Sequence, residues 1–115
     1  MILVERRTLT FTEAIRRGAR MRPQAFGGVY EAGGSDAFGA ALDGVQGLLV
    51  PGGRGEHVYL RVLAMWFPEL EDGRSRSCPA CDVVAHGRDA LIVIGVHLND
   101  DHRWTREEFA RWLGT

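Results

Sequence analysis

The sequence contains no lysine, only two cysteines and no long apolar run. Two cysteines are too few for a secreted scaffold held together by several disulfides. Because no apolar stretch approaches the roughly 20 residues that cross a bilayer, the sequence predicts no membrane-spanning helix and no membrane partner. The first residues become charged, at Glu5, too early for a signal peptide, so the predicted location is cytoplasmic. The 45% hydrophobic and 25% charged fractions are typical of a globular protein.

Arginine supplies all the positive side-chain charge, and the net charge is −1. A GC-rich coding sequence favours arginine over lysine, so this preference by itself indicates no function. The charge is nevertheless uneven, because residues 1–30 carry six arginines against two glutamates. A basic first helix is therefore a candidate anion-binding surface, whereas the near-neutral balance of the whole chain argues against a general nucleic-acid-binding protein.

The N-terminal part contains two predicted helices. Thr10 and Glu13 have the spacing of a capping box, and the apolar residues after them recur at helical intervals. This pattern predicts an amphipathic helix that Pro23 ends. Residues 56–67 are strongly apolar along one helical stripe and stop at Pro68, which predicts a central buried helix.

The stretch between these helices is rich in glycine, with ten glycines in residues 27–55, and this predicts many turns. Ser35 is expected to cap a short helix that ends at Gly44. Residues 28–31 and 48–50 are predicted to form brief strands. The glycines of residues 52–55 resemble part of a phosphate-binding loop but lack its Gly-Lys-Ser/Thr ending, which favours a flexible connector at these residues.

The C-terminal part is predicted to contain a strand and a helix. Residues 90–96 form a short, continuous, β-branched apolar run, which indicates a buried strand. Residues 99–101 are predicted to form a turn. Thr105 and Glu108 form a second capping box, which predicts a last helix that ends at Gly114.

Cysteine and histidine side chains in this part have the spacing of a metal site. Cys78 and Cys81 flank a Pro-Ala pair, fifteen residues separate Cys81 from His97, and four separate His97 from His102. Two thiolates and two imidazoles complete a tetrahedral Zn²⁺ site, so these four residues are the predicted zinc ligands. Histidines five positions apart lie about 140° apart on a helix. We therefore expect His97 at a strand end and His102 in a turn, with His86 as an alternative ligand for either.

Two interpretations without a metal compete with the zinc site. Cys78 and Cys81 are also compatible with inert thiols, accompanied by capping histidines. A Cys-Pro-x-Cys stretch also resembles the redox motif of thioredoxin-like proteins. That motif opens a helix after an early strand, however, whereas here it comes late and no helix is predicted directly after it.

Residues 78–102 resemble a divergent two-Cys-two-His zinc finger in the type and order of the ligands. They differ from it in the longer central spacing and in the predicted strand that leads into the first histidine. Residues 97–108, with Trp112 beyond them, also resemble a recurring signature of small uncharacterised bacterial and phage-type proteins, and this second resemblance implies no activity.

The expected fold is a small α+β domain with a zinc-stapled C-terminal lobe of a knuckle, a strand and a helix. The boundary falls between an N-terminal helical, Gly-rich part, residues 1–73, and the zinc-binding lobe, residues 74–115, within one compact domain overall. Zinc with four protein ligands has no open position, so the leading hypothesis is a structural or interaction module rather than an enzyme.

The expected partner of such a module is a protein or a second copy of the chain. Arg106, Glu107 and Arg111 give the last helix a polar face of mixed charge, which suits a protein better than a phosphate backbone. Arg16, Arg17 and Arg20 of the first helix are the other candidate partner-binding residues. Together with Arg22 they also support an alternative hypothesis, nucleic-acid binding.

A third hypothesis is a metal-dependent nuclease. His97, Asn99 and His102 resemble the residues of His-Asn-His nucleases, in which a histidine activates water beside a metal. In those enzymes the residues are spread over a longer motif, whereas here they lie within six positions. A nuclease also needs a base together with an open metal position, so this hypothesis is the weakest of the three.

Overall fold

The computed structural model describes residues 9–46 and 56–114. Within these ranges the chain forms five α-helices, one 3₁₀-helix and two small antiparallel sheets, which confirms the α+β class. Every helix in these ranges is too short or too polar to span a bilayer. The elements in chain order are α1 (Phe11–Gly18), β1 (Tyr30–Glu31), β2 (Gly34–Ser35), α2 (Ala37–Gln46), α3 (Glu56–Trp66), the 3₁₀-helix (Pro68–Glu71), β3 (Arg76–Ser77), β4 (Val84–Ala85), α4 (Ala90–Asp100) and α5 (Arg106–Leu113).

Helix α1 begins with the predicted capping box. The Glu13 amide donates to Thr10 Oγ1 at 3.1 Å, and the Thr10 amide donates to Glu13 Oε1 at 2.8 Å. The helix ends at Gly18, before the predicted stop at Pro23. Gly18 lies directly against α2, where a Cβ atom would overlap the carbonyl oxygen of Ala40.

Helix α2 begins and ends at positions other than those predicted. Asp36 caps it in place of Ser35, since Asp36 Oδ1 accepts the Gly39 amide at 2.9 Å. The helix continues past Gly44 because this glycine packs on α1, at a place where a Cβ atom would overlap the carbonyl oxygen of Ala14. Helices α1 and α2 therefore pack with their backbones in close contact.

One hydrophobic core joins the N-terminal and C-terminal parts. Phe38 of α2 lies at its centre, with ring centroids 6.2 Å from Phe11 and 5.7 Å from Phe109. The described residues therefore form a single domain, and the boundary at residue 73 stays a prediction. The large side chains of this core include Phe11, Ile15, Phe38, Leu42, Leu63, Phe67, Leu70, Ile94, Leu98 and Phe109.

The strand predicted at residues 90–96 is wrong, because these residues form the first two turns of α4. The run is apolar throughout because α4 is covered on most sides, and Val93 is its one exposed apolar side chain. A helix buried in this way carries no 3.6-residue pattern that would distinguish it from a buried strand. Asn99 and Asp100 complete the last turn of α4, so the turn predicted at residues 99–101 is also wrong in these two positions.

The remaining predicted elements have mixed outcomes. Helix α3 confirms the central helix, and α5 confirms the last helix, including its capping box. Residues 69–73 are polar enough in sequence to predict a connector, but they begin within the 3₁₀-helix, in which Leu70 is fully buried. Strands β1 and β2 form a hairpin with Tyr30 opposite Ser35. The strand predicted at residues 48–50 and the connector at residues 52–55 lie outside the described residues.

Candidate metal centre

The two cysteines lie in the turn of the β3–β4 hairpin. The hairpin pairs Ser77 with Val84, and the residues between them reverse the chain. The Cys78 amide donates to the carbonyl oxygen of Val83 at 2.8 Å, and the Ala80 amide donates to Cys78 Sγ at 3.3 Å. These bonds hold the turn, in which Cys78 is buried and Cys81 is exposed.

The two histidines lie on either side of the end of α4. His97 belongs to the last turn of the helix, so its predicted position at a strand end is wrong, whereas His102 lies in the predicted loop. The amides of Asp101 and His102 both donate to the carbonyl oxygen of His97, at 2.9 and 3.3 Å. This reversal brings the two imidazoles together, with centroids 4.7 Å apart and planes at 86°. Because α4 ends between the two histidines, the angle of about 140° expected for positions five apart on a helix does not separate them.

The donor atoms of the four predicted ligands all lie within 4.8 Å of one another. His97 Nε2 is 3.2 Å from Cys81 Sγ and 3.2 Å from His102 Nε2. A tetrahedral ion with metal–nitrogen bonds of about 2.0 Å and metal–sulfur bonds of about 2.3 Å requires donor separations of about 3.3 to 3.8 Å. Cys78, Cys81, His97 and His102 therefore lie close enough to hold a metal ion.

Comparisons of the chain with protein-family models, curated proteins and solved structures found no match. The resemblances to a zinc finger and to bacterial and phage-type proteins therefore have no support from a related protein. Support for a metal site at Cys78, Cys81, His97 and His102 therefore comes from the geometry of these residues.

Asp101 orients the first histidine. Its Oδ2 atom lies 2.8 Å from His97 Nδ1. A carboxylate can only accept, so Nδ1 carries the hydrogen, and in the neutral imidazole Nε2 then has a free lone pair that faces the other candidate ligand atoms. This is the arrangement in which a carboxylate fixes the tautomer of a metal-binding histidine. The sequence analysis missed this role of Asp101, although its position four residues after His97 in a helical segment would have indicated it.

The thiol of Cys81 is harder to ionise than a free cysteine. A hydrogen bond from the backbone of Val83 lowers its pKa, but partial desolvation and the neighbouring Cys78 and Asp82 outweigh this effect, so the pKa is raised. A cation between the two sulfurs reverses this balance, since metal binding displaces the thiol protons.

His86, the alternative ligand, lies away from the four clustered donors. Its Nδ1 atom is 2.8 Å from Ser75 Oγ, across the hairpin, and its side chain is exposed. Asn99 also contributes nothing to the centre, because its side chain is buried and bonds to Gln24 and to the backbone of Ala25. The residues that suggested a His-Asn-His motif are therefore divided between two surroundings.

The predicted partner-binding arginines differ in their contacts. Arg16 makes a bidentate ion pair with Glu107, at 2.8 and 2.9 Å, which joins α1 to α5. Arg111 is 3.8 Å from the same carboxylate. Arg17 on α1 and Arg20 in the turn after it are exposed, and in the described part of the chain no carboxylate pairs with either. A role for these residues in partner binding stays a prediction.

Arg106 turns inward from the first turn of α5. Its Nη1 atom donates to the carbonyl oxygen of Arg22 at 2.9 Å and to Ser35 Oγ at 3.1 Å. Desolvation lowers the pKa of its guanidinium, although the nearby Asp36 and Asp43 raise it. Arg106 therefore links α5 to the residues around α2, so part of the predicted α5 surface is used inside the molecule.

An ion pair between the partly exposed Arg22 and the buried Asp43 was missed by the sequence analysis. Asp43 of α2 is fully buried and accepts from Arg22 Nε at 2.7 Å. The hydroxyl of Tyr30 lies 3.0 Å from Asp43 Oδ1. The sequence did contain a signal for this pair. Asp43 is the single carboxylate in a mostly apolar helix, and a charge buried in this way requires a partner of opposite charge. Arg22, predicted as part of a basic surface, is thus neutralised in the fold.

Proposed function

We propose that the chain is a small zinc-binding module, in which the ion holds the C-terminal part in place and the folded surface binds a protein partner. The convergence of two sulfur and two nitrogen donors within 4.8 Å carries this proposal. Thiolate and imidazole ligands in a tetrahedral set are typical of Zn²⁺, whereas Mg²⁺ and Ca²⁺ prefer oxygen.

The donor set favours a structural ion over a catalytic one. Cys78, Cys81, His97 and His102 supply all four positions of a tetrahedral ion, which leaves no position for an activated water. The order of elements supports the same assignment. A hairpin carries both cysteines, and the next helix, α4, carries the first histidine in its last turn. Because a helix replaces the predicted strand, the likeness to a two-Cys-two-His zinc finger is greater than the sequence indicated.

Elemental analysis of the purified full-length chain tests the metal assignment. We expect one zinc per chain, removable with a chelator and restored by added zinc. Cys81→Ser should lower this content because it replaces a thiolate ligand. His86→Ala is the matched control, since it removes a histidine of the same hairpin that lies outside the donor set. A wild-type chain that stays free of zinc after refolding with the ion would contradict the proposal, as would an equal loss in both variants.

A protein partner suits the described surface better than a nucleic acid. Arg16 and Arg22 are paired with carboxylates, and Arg106 donates to acceptors inside the molecule. The exposed face of α5 mixes Glu107 and Glu108 with Arg111, so it presents no continuous basic surface. We expect the zinc-loaded chain to bind duplex DNA weakly or not at all. Tight binding that weakens steeply with salt would instead favour a nucleic-acid function.

A further inference from the structure

We infer that the metal centre is coupled to the loop at residues 24–27, so that ion binding orders this loop and the contacts of the loop strengthen ion binding. The inference rests on the proposed zinc site and names a way in which that site controls the surface of the molecule. Residues 97–104, called here the histidine corner, contain both histidine ligands and the chain reversal between them. On one side the corner contributes two ligands to the donor cluster, and on the other it contacts the loop at residues 24–27.

Two side-chain amides join the loop to the corner. Gln24 Nε2 donates to Asn99 Oδ1 at 2.9 Å and to the carbonyl oxygen of Trp104 at 2.7 Å. In return, Asn99 Nδ2 donates to the carbonyl oxygen of Ala25 at 2.9 Å. Asn99 is buried, so these bonds satisfy a polar group that water does not reach.

Two further contacts extend the junction along the loop. The Gly27 amide donates to Asp100 Oδ1 at 2.9 Å. The guanidinium carbon of Arg103 lies 4.2 Å from the centroid of the Phe26 ring, within the range of a cation–π contact. Each of residues 24–27 thus contacts the corner through its backbone or its side chain.

The backbone of the corner has a conformation that an ion would help to hold. Arg103 has φ of +57°, a left-handed conformation that is unfavourable for a residue with a Cβ atom. His102 directly precedes it, and His97 lies at the end of α4. An ion bound to both imidazoles fixes the two sides of the reversal, and so favours the chain path that places Arg103 over Phe26. Strain next to a ligand is expected where a bound group maintains it.

Coupling of this kind acts in both directions, because the free energy that links two binding events is shared between them. The loop forms one side of a surface pocket of about 250 Å³, whose lining includes Pro23, Phe26, Glu31 and Gly34. Ion binding therefore influences the shape of this pocket. The pocket belongs to the N-terminal part of the chain, whereas all four ligands of the ion lie in the C-terminal part.

Hydrogen exchange of the Gly27 amide tests the first direction. The wild-type chain is compared with zinc bound and after chelation. Since Asp100 accepts this amide, we expect its exchange to accelerate at least about 10-fold on zinc removal. The Thr10 amide, which donates to Glu13 at the exposed start of α1, should change less than about 2-fold, because it exchanges by local opening far from the corner. An unchanged Gly27 amide would overturn the inference. An equal acceleration of the Thr10 amide would also overturn it, because local opening would then respond to zinc throughout the molecule and not at the loop.

Zinc affinity of Gln24→Ala, measured by competition with a chelator, tests the reverse direction. This variant removes both Gln24 bonds to the corner, and we expect zinc to bind at least about 5-fold more weakly. Glu31→Gln is the control, because Glu31 lines the same pocket without a contact to the corner among the described residues. Equal affinities in the two variants would contradict the coupling. If Gln24→Ala does not fold, the exchange experiment on the wild-type chain decides alone.

The two levels of the proposal fail separately. A wild-type chain that binds no zinc contradicts the proposed function. A chain that binds zinc with an unresponsive Gly27 amide contradicts the coupling and leaves the metal site intact.

Discussion

Asp101 Oδ2 lies 2.8 Å from His97 Nδ1, four residues further along the chain and just past the end of α4. The carboxylate accepts a hydrogen bond from Nδ1, so in the neutral imidazole the opposite nitrogen, Nε2, has its lone pair free on the side of Cys81 and His102. The proposed role of His97 as a ligand therefore depends on Asp101, which is not itself one of the four candidate ligands.

Replacement of Asp101 should weaken zinc binding. We expect Asp101→Ala to lower the zinc affinity by about 10- to 100-fold, the usual effect of losing a carboxylate that orients a histidine ligand. Asp101→Asn should recover part of the loss, because an amide oxygen still accepts from Nδ1. Chelator competition measures both. Asp89→Ala is the control, since Asp89 is an exposed carboxylate at the opposite end of α4. Indistinguishable affinities for all three variants would show that Asp101 has no orienting role.

Zinc should stabilise the folded chain through all four ligands. A ligand that binds only the folded state raises the free energy of unfolding by about 4 kcal/mol when its free concentration is about a thousand times its Kd. We expect this increase in the wild type and in His86→Ala, and its loss in His102→Ala. Urea unfolding with and without zinc measures the difference. An equal zinc response in His102→Ala would remove this histidine from the ligand set.

The features predicted correctly are those with local causes. The capping boxes at Thr10 and Thr105 each depend on residues three positions apart, so the sequence contains all their determinants. The convergence of Cys78, Cys81, His97 and His102 was predicted from the types and spacing of these residues, since a metal site restricts both. The route by which His97 reaches the site was not predicted, because the run at residues 90–96 is apolar on every side and packing alone decides whether it forms a strand or a helix.

The features that were missed join residues distant in the sequence. Arg22 and Asp43 are 21 positions apart, and Gln24 and Asn99 are 75 apart. No pattern within one segment pairs such residues, and Asn99 in isolation suggested a turn. The residue that caps α2 was also predicted wrongly, because a contact with a distant residue decides it. Ser35 was the expected cap, but it is turned to Arg106, and Asp36 caps the helix instead.

The close packing of α1 on α2 should not tolerate added volume. A Cβ atom at Gly18 would overlap the carbonyl oxygen of Ala40, and one at Gly44 would overlap that of Ala14. Because these are backbone atoms, the helices must separate, and we expect Gly18→Ala to cost about 3 kcal/mol, at the upper end for overpacking. Urea unfolding measures this loss. Gly114→Ala is the control, since its nearest contact would be an ordinary 3.6 Å. Equal stability of the two variants would contradict the packing argument.

Tyr30 should make the fold sensitive to alkali. Its hydroxyl is 3.0 Å from Asp43 Oδ1 and 3.0 Å from the carbonyl oxygen of Gly39, both of which are acceptors, so the phenol keeps its proton. Burial first, and then the charge of Asp43, raise the pKa of Tyr30 far above its usual range, although Arg22 lowers it.

The sign of the pH effect follows from this raised pKa. Above about pH 10 an unfolded tyrosine loses its proton while the folded one keeps it, so the unfolded state binds fewer protons and stability falls as pH rises. We expect the free energy of unfolding of the wild type to decline from about pH 10, and Tyr30→Phe to lack this part of the decline. Urea unfolding at several pH values measures both. If absorbance shows both phenols ionising while the circular dichroism stays native, the buried hydroxyl does not hold its proton and the prediction is wrong.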